Sequence, residues 1–238
     1  MARIITDPTV SWRSENAAVA ESDPVFDNVS FTARSLAVFF KVSRELFADS
    51  VNINEACQRV LTGAMAVEVD RVCLLGSGSA PQPKGIVNFS GIGSVSMGTN
   101  GAQLTNYDKL LDTYQALLDA KAADPTAAIM APRTMISLDK LKDTTNQPMQ
   151  RPTSLSKLPF LTTTGMPVNE TQGTANNAST TIIGNFRELM IGMRQELVIE
   201  VLRELYAPNL QFAFVAHLRM DVQLQHPASF AKLVGIIP

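Results

Sequence analysis

Leu210-Gln211-Phe212-Ala213-Phe214-Val215-Ala216-His217-Leu218-Arg219-Met220-Asp221-Val222-Gln223-Leu224-Gln225 has an apolar side chain at every even position. From His217 onward the odd positions are His217, Arg219, Asp221, Gln223 and Gln225. Strand side chains alternate faces with period two, so the stretch predicts a long strand with one wet face, or two strands joined at a bulge. Pro227 ends it, and residues 230–237 read as a short final strand.

The next strongest signal lies upstream. Residues 51–75 carry a helical period, with Ile53, Cys57, Val60, Ala64 and Val67 on one stripe, widened by Met65, Val69, Val72 and Leu75. Asn52 and Glu55 have capping-box spacing, and Gly76 and Gly78 stop the helix. A helix of ~25 residues is about 37 Å long, enough to serve as a spine. A second helix is predicted at 105–123, capped by Thr105, with Tyr107, Leu110, Leu111, Tyr114, Leu117 and Leu118 inward. Residues 127–131 form a short apolar run that fits a buried strand. Pro132 opens a third helix with Met135, Leu138 and Leu141 inward. Strands are expected near 167–171, 180–184 and 188–193. Residues 79–103 read as loop with short strands, and 143–166, with its prolines, as a long loop without regular structure. Residues 1–34 are polar; Val29, Phe31 and Ala33 alternate as in a strand, which suggests a segment projecting as an extended arm or a hairpin. Helices mixed with mostly antiparallel strands give an α+β class.

Composition narrows the function. Of 238 residues, 45% are hydrophobic but 18% charged, below the usual quarter, as expected if subunit contacts cover part of the surface. Net charge is −2 and the 20 Lys and Arg residues are scattered, which argues against sequence-specific DNA binding. No segment reaches the roughly 18 apolar residues of a membrane span, and residues 1–10 lack the apolar core of a secretory leader. Cys57 and Cys73 sit on one predicted helix about 24 Å apart, too far for a disulfide, and read as reduced thiols.

Catalytic signatures are thin. His217 and His226 lie ~30 Å apart along a strand and cannot share a metal. Ser154-Leu155-Ser156-Lys157 matches Ser-x-x-Lys, which in some hydrolases pairs a serine with a lysine base. Gly76-Ser77-Gly78 with Lys84-Gly85 follows a helix, where phosphate-binding loops follow a strand. Glu196, Glu200 and Glu204 recur every four residues, with nothing apolar isolating one for acid–base work. No catalytic, cofactor-binding or metal site is assigned.

An ordered set of short stretches nonetheless stands out. Trp12 with Glu15, then Glu21-Ser22-Asp23 and Phe26, precede Val42-Ser43-Arg44-Glu45-Leu46 and Asp49-Ser50. Leu74-Leu75-Gly76-Ser77-Gly78 comes before Pro83-Lys84-Gly85-Ile86. Met130-Ala131-Pro132-Arg133, Leu141-Lys142-Asp143, Gly165-Met166-Pro167-Val168, Gly184-Asn185-Phe186 and Arg219-Met220-Asp221 follow. In order and spacing, over about residues 12–236, this resembles the major capsid proteins of tailed phages, which share the Hong Kong 97 fold.

The resemblance implies an extended E-loop in 1–34, a peripheral P-domain in 35–99 and 205–238, and an axial A-domain in 100–204. It implies a structural subunit, not an enzyme, that assembles with copies of itself into pentamers and hexamers of an icosahedral shell. Expected partners are portal, scaffold and maturation protease, with packaged DNA held non-specifically and no membrane. The expected location is the virion capsid, after synthesis in the bacterial host cytoplasm. Readings held beside it are an encapsulin-like nanocompartment shell and, from another class, a serine hydrolase using Ser154 and Lys157. Measured against full-length members the chain lacks the scaffolding segment, the N-terminal arm and the first E-loop strand, which predicts an E-loop strand without its hairpin partner. Some members crosslink through a Lys–Asn bond assisted by a Glu. Those positions fall on Val19, near Leu210 beside Asn209, and near His217, so no crosslinking is expected.

Overall fold

The computed structural model describes every residue except 1, 7, 17, 19, 20, 24 and 51. Among the described residues, two large sheets pack with helices around four hydrophobic clusters, and a two-stranded hairpin forms a third sheet. The first sheet is built on β11 (Gln211–Leu224), an unbroken strand of 14 residues. It lies between β10 (Leu189–Leu202) and β3 (Arg34–Ser43), antiparallel to both. The even side chains of β11 face α2 (Ile53–Leu75) as the alternation predicts, and Phe214, Ala216 and Val222 are wholly buried there. The opposite face is less wet than expected: Asp221 is buried because the chain preceding β3 folds over it.

Helix α2 packs on that sheet through part of the expected stripe, turned toward its widened side. Leu61, Met65, Val72, Cys73 and Leu74 are buried, with Ile53, Cys57 and Val69 half-buried, whereas Val60 and Val67 are exposed. The helix carries small apolar residues on more than one side, so periodicity alone leaves its rotation open. The sheet resolves it, since Leu61 and Met65 meet Phe214, Leu218 and Met220. Neither expected cap forms with a side chain. Asn52 makes no capping hydrogen bond, and α3 (Asp108–Asp119) begins with Asn106 Oδ1, rather than Thr105, accepting from the Asp108 N–H at 3.1 Å. A short helix, α1 (Arg44–Asp49), precedes α2, and there Ser43 Oγ does accept from the Leu46 N–H.

The second sheet has seven strands, in the order β4 (Gly93–Ser96), β12 (Phe230–Ile237), β9 (Ala175–Gly184), β6 (Ala127–Met130) and β7 (Phe160–Thr162). The short strands β5 (Ala102–Gln103) and β8 (Glu170–Gln172) add to β12 and β9. Its core gathers Leu110 and Leu117 of α3, Leu138 of α4 (Pro132–Asp139), and Ala128, Met130, Ile183 and Leu233. The two sheets run across the boundaries expected at 100 and 204. Strand β10 joins the spine sheet, while β4 and β12 join the other.

The stretch 143–166 is not the unstructured loop expected. It holds a one-turn helix, α5 (Thr153–Ser156), and β7 in parallel pairing with β6, and it buries Leu155, Leu158 and Met166. Three apolar anchors too sparse to make a period fix it to the core. Asp143 closes a turn at its start: Oδ1 accepts from the N–H and hydroxyl of Thr145 and from the Gln147 N–H. The Thr145 hydroxyl leads these bonds in holding the carboxyl below its usual range.

The arm also differs from expectation. Residues 29–33 are not a strand; β3 starts at Arg34. Upstream, β1 (Ala2–Thr6) pairs antiparallel with β2 (Val25–Asn28), Ala2 opposite Asn28, so the arm supplies both strands of a hairpin.

The end of α2 and the following loop make the tightest backbone approach. A Cβ on Gly85 would lie 2.3 Å from the Gly76 nitrogen, and one on Gly76 would lie 2.3 Å from the Pro83 carbonyl oxygen. Asn88 Nδ2 donates to the carbonyls of Leu75 and Gly76, satisfying the last turn of the helix. Gly85→Ala is expected to force these segments apart and cost about 1–3 kcal/mol, the usual range for overpacking. Thermal unfolding measures it.

Candidate assembly surfaces

The motif residues of the sequence are concentrated at junctions. Arg133, at the start of α4, donates from its guanidinium to the carbonyls of Val168 at 3.1 Å and Asn177 at 2.7 Å, tying helix, loop and β9 together. Gly184 lets the ring of buried Phe230 lie against the backbone, where a Cβ would meet Phe230 Cδ1 at 2.4 Å. Asn185 Oδ1 accepts from the Arg187 N–H and turns the chain toward β10. Glu68 and Arg71 form a bidentate pair on α2, which holds the Glu68 carboxyl below and the Arg71 guanidinium above their usual values. These groups hold a scaffold; none surrounds a reacting atom.

The residues singled out for chemistry are dispersed. Ser154 and Lys157 are both exposed on and beside the one-turn α5, and no hydrogen bond joins them among the described residues. A serine nucleophile needs its base within hydrogen-bond reach, so this arrangement gives the hydrolase reading no support. His217 lies across the β10–β11 ladder from Val198, its Nε2 2.9 Å from Gln195 Nε2, and His226 is exposed beyond the strand. Glu196, Glu200 and Glu204 are exposed, the first two on β10. Cys57 and Cys73 are free thiols on α2; burial, then the charge of Asp70, pushes the Cys73 thiol up to about 11. Among the described residues no group of three His, Cys, Asp or Glu could hold a metal, and no helix is long and apolar enough to cross a membrane.

What the surface does display is large apolar side chains in groups. On the arm, residues 8–16 are exposed throughout, with Val10 at 96% and Trp12 at 104% of full exposure. A second group sits where β10 turns into β11: Leu205 and Leu210 are exposed there, with exposed Phe39 of β3 beside the turn. Tyr206 braces that turn, its ring under Lys41 Nζ at 3.8 Å and 6.0 Å from the Phe39 ring. Leu210 adopts a left-handed backbone, φ 50°, uncommon for a branched residue and indicative of a turn held by its surroundings. A third group, Leu161 and Ile191, borders an apolar hollow lined by Leu74, Phe186 and Leu189. Sequence reading did not locate these groups, because exposure of an apolar residue is set by which partner its element finds.

The structure overlays on the capsid of a native GTA particle with a TM-score of 0.80 at 22% identity, over 99% of this chain and 84% of that one. A Mycobacterium phage Bobi structure matches at TM-score 0.77 and 15% identity, over 98% and 84% of the two chains. Gordonia phage Cozz matches at 0.73 and 16%, over 98% and 79%. No curated protein matches in sequence. The fold is α+β of the Hong Kong 97 type. The profile of the phage capsid family matches residues 2–235, and the chain belongs to that family, as a structural capsid subunit.

Proposed function

We propose that this chain assembles with copies of itself into pentamers and hexamers of an icosahedral shell that encloses DNA, and that it has no catalytic role. The observation that supports this most is the size of its surface. The chain exposes 14379 Å². A globular monomer of its 25.8 kDa exposes about 10,500 Å². The excess, about 3,900 Å², equals roughly five standard interface faces of about 800 Å² each. An exposed Trp12 on a hairpin arm and exposed leucines at the β10–β11 turn give that excess an apolar character suited to protein partners.

In this reading the spine sheet with α2 is the peripheral part and the seven-stranded sheet is the axial part. DNA contacts the inner wall non-specifically, through scattered Lys and Arg side chains. Portal, scaffold and maturation protease are the expected further partners, and the chain is made in the host cytoplasm. The nanocompartment reading shares the fold and gains no observation of its own. Size exclusion with light scattering tests the proposal: masses of five or more subunits are expected, and a single 25.8 kDa species at every concentration would count against it.

The shell is held without covalent links in this account. Val19, at the position of the crosslinking lysine, lies outside the described residues; its side chain has no amine. Leu210 and Asn209, near the Asn position, are at the β10–β11 turn, and the Glu position falls near His217 on β11. Assembled protein should run as one band of subunit mass on a denaturing gel; a ladder of multiples would contradict this.

A further inference from the structure

We propose that Asp221 is the anchor that fixes the base of the arm to the spine sheet and so sets the direction in which the arm leaves the subunit. The proposal deepens the assembly role above and rests on it for its purpose, though not for its geometry. Three observations meet at one end of the sheet. The last β3–β11 pair is Arg34 opposite Met220, so the chain before Arg34 leaves the ladder there. Asp221, the next residue of β11, is 4% exposed. Its Oδ2 accepts from the Thr32 N–H at 2.7 Å and from Gln223 Nε2 at 3.3 Å. Directly across the ladder is Gly192. The Phe31 ring lies over it, so close that a Cβ there would sit 2.6 Å from Phe31 Cδ1.

A buried carboxylate is costly unless hydrogen-bonded, and the Thr32 amide, leaving the ladder, needs an acceptor in place of a strand partner. Asp221 meets both needs, and a glycine opposite opens the space for the aromatic ring beside it. Val29, at the outer edge of this junction, is buried. Residues 8–16 beyond it are exposed throughout. The arm is therefore held at its base and exposed farther out, where Trp12 stands. A fixed base reduces the orientational freedom lost when the arm engages a second copy, so Asp221 acts as a positioning residue for assembly.

Amide hydrogen exchange of the full chain tests this, alongside thermal unfolding and assembly yield, in Asp221→Ala, Asp221→Asn and Gly192→Ala. In Asp221→Ala the Thr32 amide should exchange at least tenfold faster, with the β10 and β11 amides unchanged and assembly reduced. Asp221→Asn keeps an acceptor oxygen and should restore both. Gly192→Ala displaces Phe31 without touching the carboxylate and should loosen the same residues, which decides the matter if Asp221→Ala does not fold. Unchanged Thr32 protection in both alanine variants, or a loosened base with full assembly, would overturn the proposal. A wild-type chain that stays monomeric would contradict the assembly role instead, and exchange at Thr32 would still decide the anchor.

Discussion

Phe214→Ala is expected to lower stability by about 3–5 kcal/mol, the range for emptying a buried aromatic site. The ring is fully buried near the start of β11. It stacks on Phe40 of β3 at 5.1 Å and 6°, and lies 6.3 Å from Phe47 of α1. Leu61 of α2 closes the same cluster. These neighbours come from one strand and two helices, so none can move in to fill the space without breaking its own contacts. For a chain of this length the change corresponds to a fall of roughly 10 °C in the unfolding midpoint. Phe214→Leu, which keeps most of the volume, should lose much less. Calorimetry or thermal circular dichroism on the two variants measures the difference, and equal midpoints would show that the cluster does not hold the spine to its sheet.

The second large effect is on association alone. Val10 and Trp12 are fully exposed, so replacing both with serine removes nothing from the folded core. The unfolding midpoint should stay within a degree or two. If Trp12 is an anchor of the interface, its loss costs about 2 kcal/mol at each contact, and each contact weakens roughly 30-fold. Because every subunit repeats the contact, the concentration needed for assembly rises at least as much. Light scattering over a concentration series gives the shift. Unchanged assembly would remove the arm from the account.

The sequence was most legible where burial is one-sided. Strand β11 has a helix on one face, so its even positions are uniformly apolar, and the strand emerges as one 14-residue element. Final strand β12 and buried β6 were equally clear, for β12 is a short apolar run that follows Pro227 and β6 one that ends at Pro132. Helix α2 was found, with one edge of its expected apolar face left bare. Val60 and Val67 looked like core because nothing local distinguishes an apolar face that meets a sheet from one left bare. That bare face agrees with the low charge content: both are expected of a surface that awaits other subunits.

The stretch 143–166 was misread because Leu155 and Leu158 are anchors of tertiary origin, held by the α3 and α4 core rather than by a helix period of their own. The arm was read as extended or as a hairpin, but its two strands were not located, for a related reason. Its strands are separated by the 18 residues 7–24, too far for a turn signal to link them. Asp221 was legible only as an odd-position polar residue on a strand. Its burial depends on Thr32, 189 residues away in the chain. Ser154 and Lys157 match a four-residue pattern in sequence, but both are exposed on and beside a one-turn helix.

The central claim is that the large surface of this chain exists to be covered by copies of itself. Negative-stain electron microscopy of the heaviest fraction of the purified protein tests it most directly. The account expects rings of five or six subunits, or closed shells built from them. A preparation holding only isolated 25.8 kDa particles at all concentrations would contradict it.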